Sequence, residues 1–526
     1  MSKARDIADS TKTLDVDGGT IKLDGNYPTG TQNVALGDAA LDDGSLSGGF
    51  NTAIGRASLS NNTSGAYNSA LGNGSLQGNE TGDANTAVGY NALKSNTASY
   101  NVAVGHQALE DNTSGNYLTA VGQAALGNNT SGIRNSALGR VALGSNTTGN
   151  YNSAFGYGAL VANETHSNNT AMGYLALTTA TASNNTAVGY QAGYSNTTGT
   201  ANNFFGYQAG YNTTTPTGNI GVGNATLYRT TTGEYNIGIG HVALFENTTG
   251  SHNTGIGRGA LQNNTTASES TAVGYQALYN STGAANTAFG DRAGYSVTTG
   301  NTNTFVGQGA GYSMTTGSKN TILGPYNGNE GGLDIRTSSN NIVLSDGDGN
   351  PRAHCNGSTW RFNTSSGHEV LFNSGAYFHP TPDNTVTLGF SSLRWSVVYA
   401  ATGTINTSDL NAKQDIASLD DAEKRVANTI KGLIKKFRWK DAVAQKGDEA
   451  RIHVGVIAQE VKMAFEAENL DAHRYGVFCS DTWYEVDGNS IDVNGNHYTA
   501  QTEGAIERTR MGVRYDQLFS FVISTL

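Results

Sequence analysis

A short motif that recurs eighteen times between Asn33 and Gly324 constrains this chain most. Sixteen copies begin with Asn and the other two with Leu118 and Ser270. Each runs through a short segment that usually contains Ala to an aliphatic or aromatic residue and Gly, at spacings of 16, 17 or 18 residues. Self-similarity at a fixed short period predicts a repeat architecture in which stacked units form a rod. A rod presents or connects other molecules, so the pattern argues against an enzyme built around a pocket.

One unit, residues 85–100, illustrates the residue pattern of the repeat. The segment Thr86-Ala-Val88 predicts a strand of three or four residues, too short to be stable alone. Gly89 then marks a tight bend or a close approach of neighbouring backbone. Leu follows four residues later in thirteen units, as at Leu93, and Gly-Tyr replaces it in four others. A polar turn closes the unit, which predicts a mainly β fold of short-strand β-solenoid or β-roll repeats.

The small number of apolar residues in each unit bears on assembly. The regular aliphatic residue before each glycine needs burial, yet a unit offers only about two such side chains, Val88 and Leu93 in this example. We therefore expect that one chain cannot cover a core and that intertwined chains form an elongated homotrimeric fibre. With one unit per coil at the strand spacing of about 4.8 Å, the shaft would be on the order of 85 Å long.

Composition excludes several classes of function. The net charge is −11 and no stripe of Lys and Arg occurs, which argues against a nucleic-acid partner. The two cysteines show no disulfide or Cys/His metal pattern, so we expect no metal and no cofactor. The first ten residues lack the apolar core of a secretory signal, and no run of eighteen apolar residues predicts membrane insertion. The chain is therefore expected to be made in a cytoplasm.

Four stretches follow from the changes in composition. Residues 1–30 form a polar start with a small hairpin around Gly18-Gly19, residues 31–326 form the shaft, and residues 327–407 lose the period but remain β-like. Residues 408–526 regain charge and carry helical periodicity, which predicts a small α+β domain. Apolar residues mark the faces of three helices in it: Val426, Ile430, Leu433, Ile434 and Phe437; Ile457, Val461, Ala464 and Phe465; Leu518, Phe519, Val522 and Ile523.

Five ordered motifs in this last stretch carry a family resemblance. They are Ser408-Asp409 with Lys413 and Ile416, Phe437-Arg-Trp-Lys, Val454-Gly-Val-Ile-Ala-Gln-Glu-Val461, Tyr475-Gly-Val-Phe-Cys and Val513-Arg-Tyr-Asp-Gln-Leu518. The set resembles the C-terminal intramolecular chaperone of phage tail spikes and fibres, the endosialidase-type self-cleaving serine–lysine peptidase family. The shaft, in turn, resembles the head repeats of trimeric autotransporter adhesins.

The resemblance implies a self-cleavage site and its two catalytic residues. The cut would fall between Ser408 and Asp409, with Ser408 as nucleophile and Lys413 as base. A serine hydroxyl needs a neighbouring base, and a desolvated lysine can act as one because burial lowers its pKa. The family often has a basic residue between the two, where this chain has Leu410-Asn-Ala412. The alternative is a folding domain that does not cut.

The chain is thus expected to be a bacteriophage tail fibre subunit, and so a virion component. Residues 1–30 would bind a phage tail or baseplate protein, and residues 327–407 would contact a host cell-surface polysaccharide or outer-membrane receptor through Trp360, Tyr377 and Phe378. The alternatives are a trimeric bacterial surface adhesin and a tail spike that degrades polysaccharide, although no paired carboxylates recur in register along the shaft. Tyrosines that follow repeat glycines would either bind sugars or stack on one another.

Overall fold

The computed structural model describes residues 15–16, 19–22, 32–363, 369–372, 378–381, 416–487, 499 and 501–525. The chain divides into two compact units, Met1–Asp383 and Asn384–Leu526. The first contains the repeats, and the second contains all the helices of the described residues.

The repeats form a parallel β-solenoid in which each unit is one coil. Eighteen three-residue strands, β3 to β20, each pair in parallel with the strand of the next coil. They span Val34–Leu36, Thr52–Ile54, Ser69–Leu71, Thr86–Val88, Val102–Val104, Thr119–Val121, Ser136–Leu138, Ser153–Phe155, Thr170–Met172, Thr186–Val188, Asn203–Phe205, Ile220–Val222, Ile237–Ile239, Thr254–Ile256, Thr271–Val273, Thr287–Phe289, Thr304–Val306 and Thr321–Leu323.

Equivalent residues of successive coils lie directly over one another. Ala87 pairs with Ala103 and Val88 with Val104. The glycine after each strand has a positive φ, +135° at Gly89, and a Cβ there would lie 2.4 Å from the carbonyl oxygen of Gly105 in the next coil. The predicted close approach of backbone at the repeat glycine is therefore confirmed, and no other residue fits this position without displacing the neighbouring coil.

A single chain builds a continuous core, contrary to the sequence-based expectation. In the coil that begins at Asn85, the side chains of Ala87, Ala92 and Leu93 are fully buried. The prediction was wrong because it counted only large apolar residues, whereas the coils are narrow enough for alanine to fill them. Buried asparagines supply the remaining contacts.

Two ladders of buried asparagine run along the solenoid. In the strand ladder, each Asn lies before a strand: the backbone N–H of Asn85 donates to Oδ1 of Asn68 at 2.9 Å, and its side-chain amide donates to the Ala98 carbonyl. In the corner ladder, Nδ2 of Asn96 donates to Oδ1 of Asn79 at 3.2 Å. Most of the buried amides are thus satisfied by neighbouring coils, with Oδ1 of Asn163 and Oδ1 of Asn196 as exceptions.

The aliphatic residue before each glycine is not buried within the single chain. The middle residue of each strand points inward, while the residue before the glycine faces outward and stays partly or largely exposed. The burial expected for this position is therefore not provided by the chain's own core, because side chains alternate between the two faces of a strand.

Both ends of the solenoid sheet carry antiparallel strands. At the start, β1 (Asp15–Val16) and β2 (Gly19–Lys22) form the predicted hairpin, and β2 pairs with β3. At the other end, a hairpin of β21 (Asn329–Glu330) and β22 (Leu333–Asp334) precedes the parallel strand β23 (Ile342–Ser345). Four antiparallel strands then continue the sheet, so the parallel coils do not end in an unpaired edge strand. These strands are β24 (Pro351–Cys355), β25 (Trp360–Asn363), β26 (Glu369–Phe372) and β27 (Phe378–Thr381).

The second unit packs helices against two small hairpins. Its helices are α1 (Asp421–Lys431), α2 (Lys440–Lys446), α3 (Ala458–Ala467) and α4 (Tyr515–Ile523), with short 3₁₀ turns at Gly447–Glu449 and Ala472–Arg474. Strand β28 (Lys435–Phe437) pairs with β29 (His453–Gly455), and β30 (Phe478–Glu485) pairs with β31 (Ile506–Val513).

The first of these helices is shorter than its periodicity suggested. It begins at a capping box in which Asp420 and Glu423 accept each other's backbone N–H, and Gly432 caps its end. Phe437 therefore lies in β28, and Ile434 is exposed rather than on the buried helix face. The other two predicted helices are present, although Phe519 and Ile523 of α4 are also exposed.

Candidate functional site

The residues assigned to self-cleavage lie outside the described part of the chain. Ser408, Asp409 and Lys413 all precede residue 416, where the description of the second unit begins, and Tyr377 of the distal region is likewise undescribed. Their roles stay predictions. The other four motifs of the family resemblance are described, and they show how the domain is built.

Three of these motifs contribute buried residues to the core of the second unit, whereas the motif that begins at Phe437 does not. Val461 and Phe465 of α3 are buried with Phe478 of β30 and Leu518 of α4. Phe465 also packs its ring against Tyr475, with ring centroids 4.6 Å apart. Residues more than fifty positions apart in the sequence, such as Val461 and Leu518, thus belong to one apolar cluster.

One polar contact lies within this core. The Tyr475 hydroxyl donates to Oε1 of Glu423 at 2.9 Å, and the other carboxylate oxygen of Glu423 accepts the backbone N–H of Asp420. Burial, and then the hydrogen bond to Glu423, raise the pKa of Tyr475 to about 12. The contact fixes the start of α1 against the motif that contains Tyr475.

An apolar groove lies on the surface of the same unit. It has a volume of about 380 Å³ and is lined mainly by Ile430 of α1, Ile434 after that helix, Val454 of β29, and Tyr515 and Phe519 of α4. Ile434, Val454 and Phe519 are each more than half exposed. The groove can accept an apolar side chain, and its exposure is compatible with a role in assembly.

In the distal region, two of the predicted receptor residues belong to one aromatic row. Trp360 lies 6.0 Å from Phe362, Phe362 lies 6.1 Å from Phe372, and Phe372 lies 4.5 Å from Phe378, measured between ring centroids. The last three rings are exposed. The structure therefore brings Trp360 and Phe378 onto one face of the antiparallel sheet, joined by two phenylalanines that the sequence reasoning did not select.

The solenoid carries a longer exposed row, which we term the apolar stripe. Its members are the residues before the eighteen repeat glycines, and none is charged. Leu71, Leu138 and Phe289 are exposed by 49%, 48% and 45%, respectively. The stripe consists of Leu36, Ile54, Leu71, Val88, Val104, Val121, Leu138, Phe155, Met172, Val188, Phe205, Val222, Ile239, Ile256, Val273, Phe289, Val306 and Leu323.

The apolar stripe and the aromatic row share a face of the sheet. Leu323 at the end of the stripe pairs with Leu344, which pairs with Ala353, which pairs with Phe362. Residues that pair across neighbouring strands point to the same side. Folded proteins rarely expose so long a contiguous apolar surface.

Four successive tyrosines that follow repeat glycines stack on one another, whereas Tyr90 stacks on His106 and Tyr275 makes cation–π contacts with two arginines. Tyr157, Tyr174, Tyr190 and Tyr207 form a continuous ladder with ring centroids 5.3 Å apart and nearly parallel planes. Each interior ring has both faces covered by its neighbours. Sugar rings bind aromatic side chains through these faces, so the ladder favours the self-stacking alternative.

The described residues give no sign of a metal centre or a membrane span. No group of three or more His, Cys, Asp or Glu side chains in the described ranges is placed to hold a metal ion. The helices in those ranges do not combine the length and hydrophobicity needed to cross a bilayer.

Comparison with known proteins identifies relatives of the C-terminal part. Residues 408–470 match the family model described as chaperone of endosialidase. The tail spike protein of Escherichia virus K5 is 34% identical over 180 residues, 34% of this chain and 27% of that protein. The side tail fiber protein pb1 of Escherichia phage T5 is 37% identical over 106 residues, 20% of this chain and 7% of that protein.

Several solved structures also match, and one of them is a phage tail fibre domain. It is the carboxy-terminal domain of the bacteriophage T5 L-shaped tail fiber with its intra-molecular chaperone domain, at 23% identity and a TM-score of 0.25, covering 35% of this chain and 50% of that one. The chain thus spans about a quarter or less of the length of these two curated relatives. The predicted resemblance is confirmed: the chain carries an endosialidase-type chaperone domain and is related to phage tail spikes and fibres.

Proposed function

We propose that this chain is a bacteriophage tail fibre subunit that mediates attachment to the host cell, and that its C-terminal domain is the intramolecular chaperone of that fibre. One observation carries the proposal: an endosialidase-type chaperone sequence at 408–470 follows a β-solenoid of eighteen coils. The relatives named as tail spike and tail fiber proteins support it. In this arrangement residues 31–326 are the shaft and residues 408–526 the chaperone domain.

The fibre is a homotrimer that assembles along the apolar stripe. Covering a half-exposed aliphatic row removes apolar surface from water, and each Å² removed contributes about 25 cal/mol. The stripe repeats once per coil, so a partner that covers all of it must present apolar groups at the same period. A second and third copy of this solenoid meet that requirement.

The chaperone domain is released by self-cleavage after assembly. Ser408 attacks the peptide bond to Asp409, and Lys413 takes the hydroxyl proton. The support is the family match, which begins at residue 408. Burial of Lys413 between subunits would lower its pKa and would make the cut depend on correct folding.

Attachment uses the two ends of the fibre. Residues 1–30 bind a tail or baseplate protein, and residues 327–407 contact a polysaccharide or outer-membrane receptor of the host, with Trp360, Tyr377 and Phe378 as candidate contacts. The aromatic row lies on the face of the apolar stripe, which gives these rings a second candidate role as subunit contacts.

Competition for adsorption tests the proposed function. Purified full-length chain should block adsorption of the phage that encodes it, whereas a trimeric variant that lacks 327–407 should not. Equal blocking by both proteins would place the receptor contact on the shaft, and no blocking by either would refute the attachment role. Incubation with host polysaccharide distinguishes a binder from a hydrolase, because only a hydrolase releases oligosaccharide.

A further inference from the structure

A polar cleft lies at the distal end of the solenoid unit, on the side of the sheet opposite to the aromatic row. It has a volume of about 340 Å³ and lies between the β21–β22 turn and strands β24 and β25. This volume is in the lower part of the range of roughly 300–1,000 Å³ that is usual for small-molecule sites. Its lining residues are Gly331, Gly332, Leu333, His354, Asn356, Arg361 and Asn363.

Strand alternation separates the cleft from the aromatic row. In β25, Arg361 and Asn363 line the cleft, whereas Trp360 and Phe362 belong to the aromatic row. His354 pairs with Arg361 across the neighbouring strand and points to the same side. The sheet therefore presents an apolar face and a polar, concave face within one short segment.

The floor of the cleft is held in place by the solenoid core. His354 is buried, and its Nε2 lies 3.1 Å from Oδ1 of Asn341, the last member of the strand ladder. An amide oxygen only accepts hydrogen bonds, so Nε2 of His354 is the donor. Asn341 is itself bonded to Asn320. The cleft is thus anchored to the ladder rather than formed by a loose loop.

One buried acceptor in the cleft lacks a partner. The Asn363 side chain donates from Nδ2 to the carbonyl of Pro351 at 3.0 Å, which orients the amide. Its Oδ1 is buried and has no hydrogen-bond partner. A buried acceptor left without a donor costs about 1–3 kcal/mol, so such an atom in a cleft indicates a missing donor.

We infer that this cleft is a carbohydrate subsite that holds one hydroxyl-bearing sugar unit of the host-surface polysaccharide. A sugar hydroxyl donates to Oδ1 of Asn363, and sugar oxygens accept from the N–H groups of Arg361. Sugars present donors and acceptors on adjacent carbons, which matches an acceptor and a donor two residues apart on one strand face. The inference rests on the proposed function and names the chemistry of its receptor.

Ligand-observed saturation-transfer NMR on the full-length chain tests the subsite. The probes are the methyl glycosides of glucose, galactose, mannose and N-acetylglucosamine, together with glucuronate. At least one probe should receive saturation, and Asn363→Leu, which removes the acceptor at nearly constant volume, should weaken its binding about tenfold. Arg361→Gln should also weaken it, which keeps the test valid if the Asn363 variant fails to fold.

The matched control is Arg352→Gln, which changes an exposed arginine of the neighbouring strand β24 that does not line the cleft, and its sugar binding should equal that of the parent. Absence of saturation transfer for every probe, as expected if only water occupies the cleft, would overturn the inference. Equal binding by the parent and both cleft variants would also overturn it. If the parent blocks phage adsorption but both cleft variants bind the sugars as tightly as the parent, the attachment function stands and only the subsite is refuted.

Discussion

The ring of Phe204 occupies the space that a side chain at Gly210 would need. A Cβ built on Gly210 would lie 2.5 Å from Cε1 of Phe204. Most coils have Ala at the centre of the strand and Leu at the position of Gly210. This coil instead has the large side chain at the strand centre and glycine at the second position. The coil with Phe305 and Gly311 has the same arrangement, and a Cβ on Gly311 would likewise lie 2.5 Å from the Phe305 ring. Total volume in the coil is therefore conserved although its distribution differs.

This exchange predicts strong coupling between the two positions. Phe204→Ala should lower stability by about 3–5 kcal/mol because it leaves a cavity. Gly210→Leu should destabilise by overpacking, about 1–3 kcal/mol. The double variant restores the usual Ala and Leu pair, so its loss should be smaller than the sum. Denaturant midpoints of the three variants measure the coupling, and additive losses would contradict the packing argument.

The corner ladder has a gap that can be repaired. Oδ1 of Asn163 is buried without a partner, because the equivalent residue of the next coil is Ala180 rather than Asn. Ala180→Asn should donate to Asn163 and raise stability by about 1 kcal/mol. Ala176→Asn, in the core but outside the ladder, is the control and should destabilise. A higher melting temperature for the first variant alone is the expected result.

The sequence predicted the shaft better than it predicted what lies inside the shaft. The strict period predicts the position of each strand and each glycine. The glycine position is fixed by backbone contact with the next coil, as at Gly89. It does not reveal burial, because a strand of three residues is too short to show which of Ala87 and Val88 faces inward. The asparagines were visible in every unit, yet their role depends on contacts one coil away, as between Asn68 and Asn85.

In the second unit, periodicity located helices but not their ends or the hairpins. The run that suggested a helix to Phe437 is cut at Gly432, where the chain turns into β28. Ile434 and Phe519 fit the helical pattern of apolar residues, yet both are exposed in this chain. A periodicity read from sequence cannot distinguish a surface buried within the fold from one that other copies cover. The cleft around Asn363 left no sequence signal, because its residues come from three separate strands and turns.

The Tyr475–Glu423 contact should make the second unit sensitive to alkaline pH. The pKa of Tyr475 is raised to about 12, above its usual value of about 10, so the folded state holds the proton more tightly than the unfolded state. Its contribution to the free energy of unfolding is complete below about pH 10 and is lost as the pH rises towards 12. Hydrogen exchange in α1 of the full chain should therefore accelerate across this range.

Tyr475→Phe removes the titrating hydroxyl while retaining the ring that packs on Phe465. Protection of α1 in this variant should be lower than in the parent near neutral pH and should change less between pH 10 and 12. An unchanged pH profile in the variant would show that other groups cause the alkaline loss.

The apolar stripe predicts the response of assembly to a single charge. Val188→Asp places a carboxylate on the stripe and, in a trimer, three carboxylates at one level, so assembly should be abolished. Asn184→Asp adds the same charge to an exposed position of the same coil outside the stripe and should assemble normally. Native mass spectrometry reports the oligomeric state. A monomeric parent would refute the trimer, and a trimer of the Val188 variant would show that this position is not buried.

The prediction of self-cleavage is the easiest to refute. The intact chain should yield two products, residues 1–408 and 409–526, without added protease, and intact-protein mass spectrometry should find both. Ser408→Ala removes the nucleophile, so it should give full-length protein that still trimerises, because folding and cutting are separate tasks of the domain. Lys413→Ala removes the base and should also block the cut.

Removing residues 409–526 from the gene should have a different consequence from blocking the cut. Intertwined chains close over long sequence separations and fold slowly, so a shaft made without its chaperone should aggregate. After the cut, the mature fibre should resist unfolding kinetically, since the domain that guided assembly has left and the reverse path is closed. If Ser408→Ala protein were cleaved as fast as the parent, Ser408 would not be the nucleophile, and the domain would be a folding module whose removal depends on another protease.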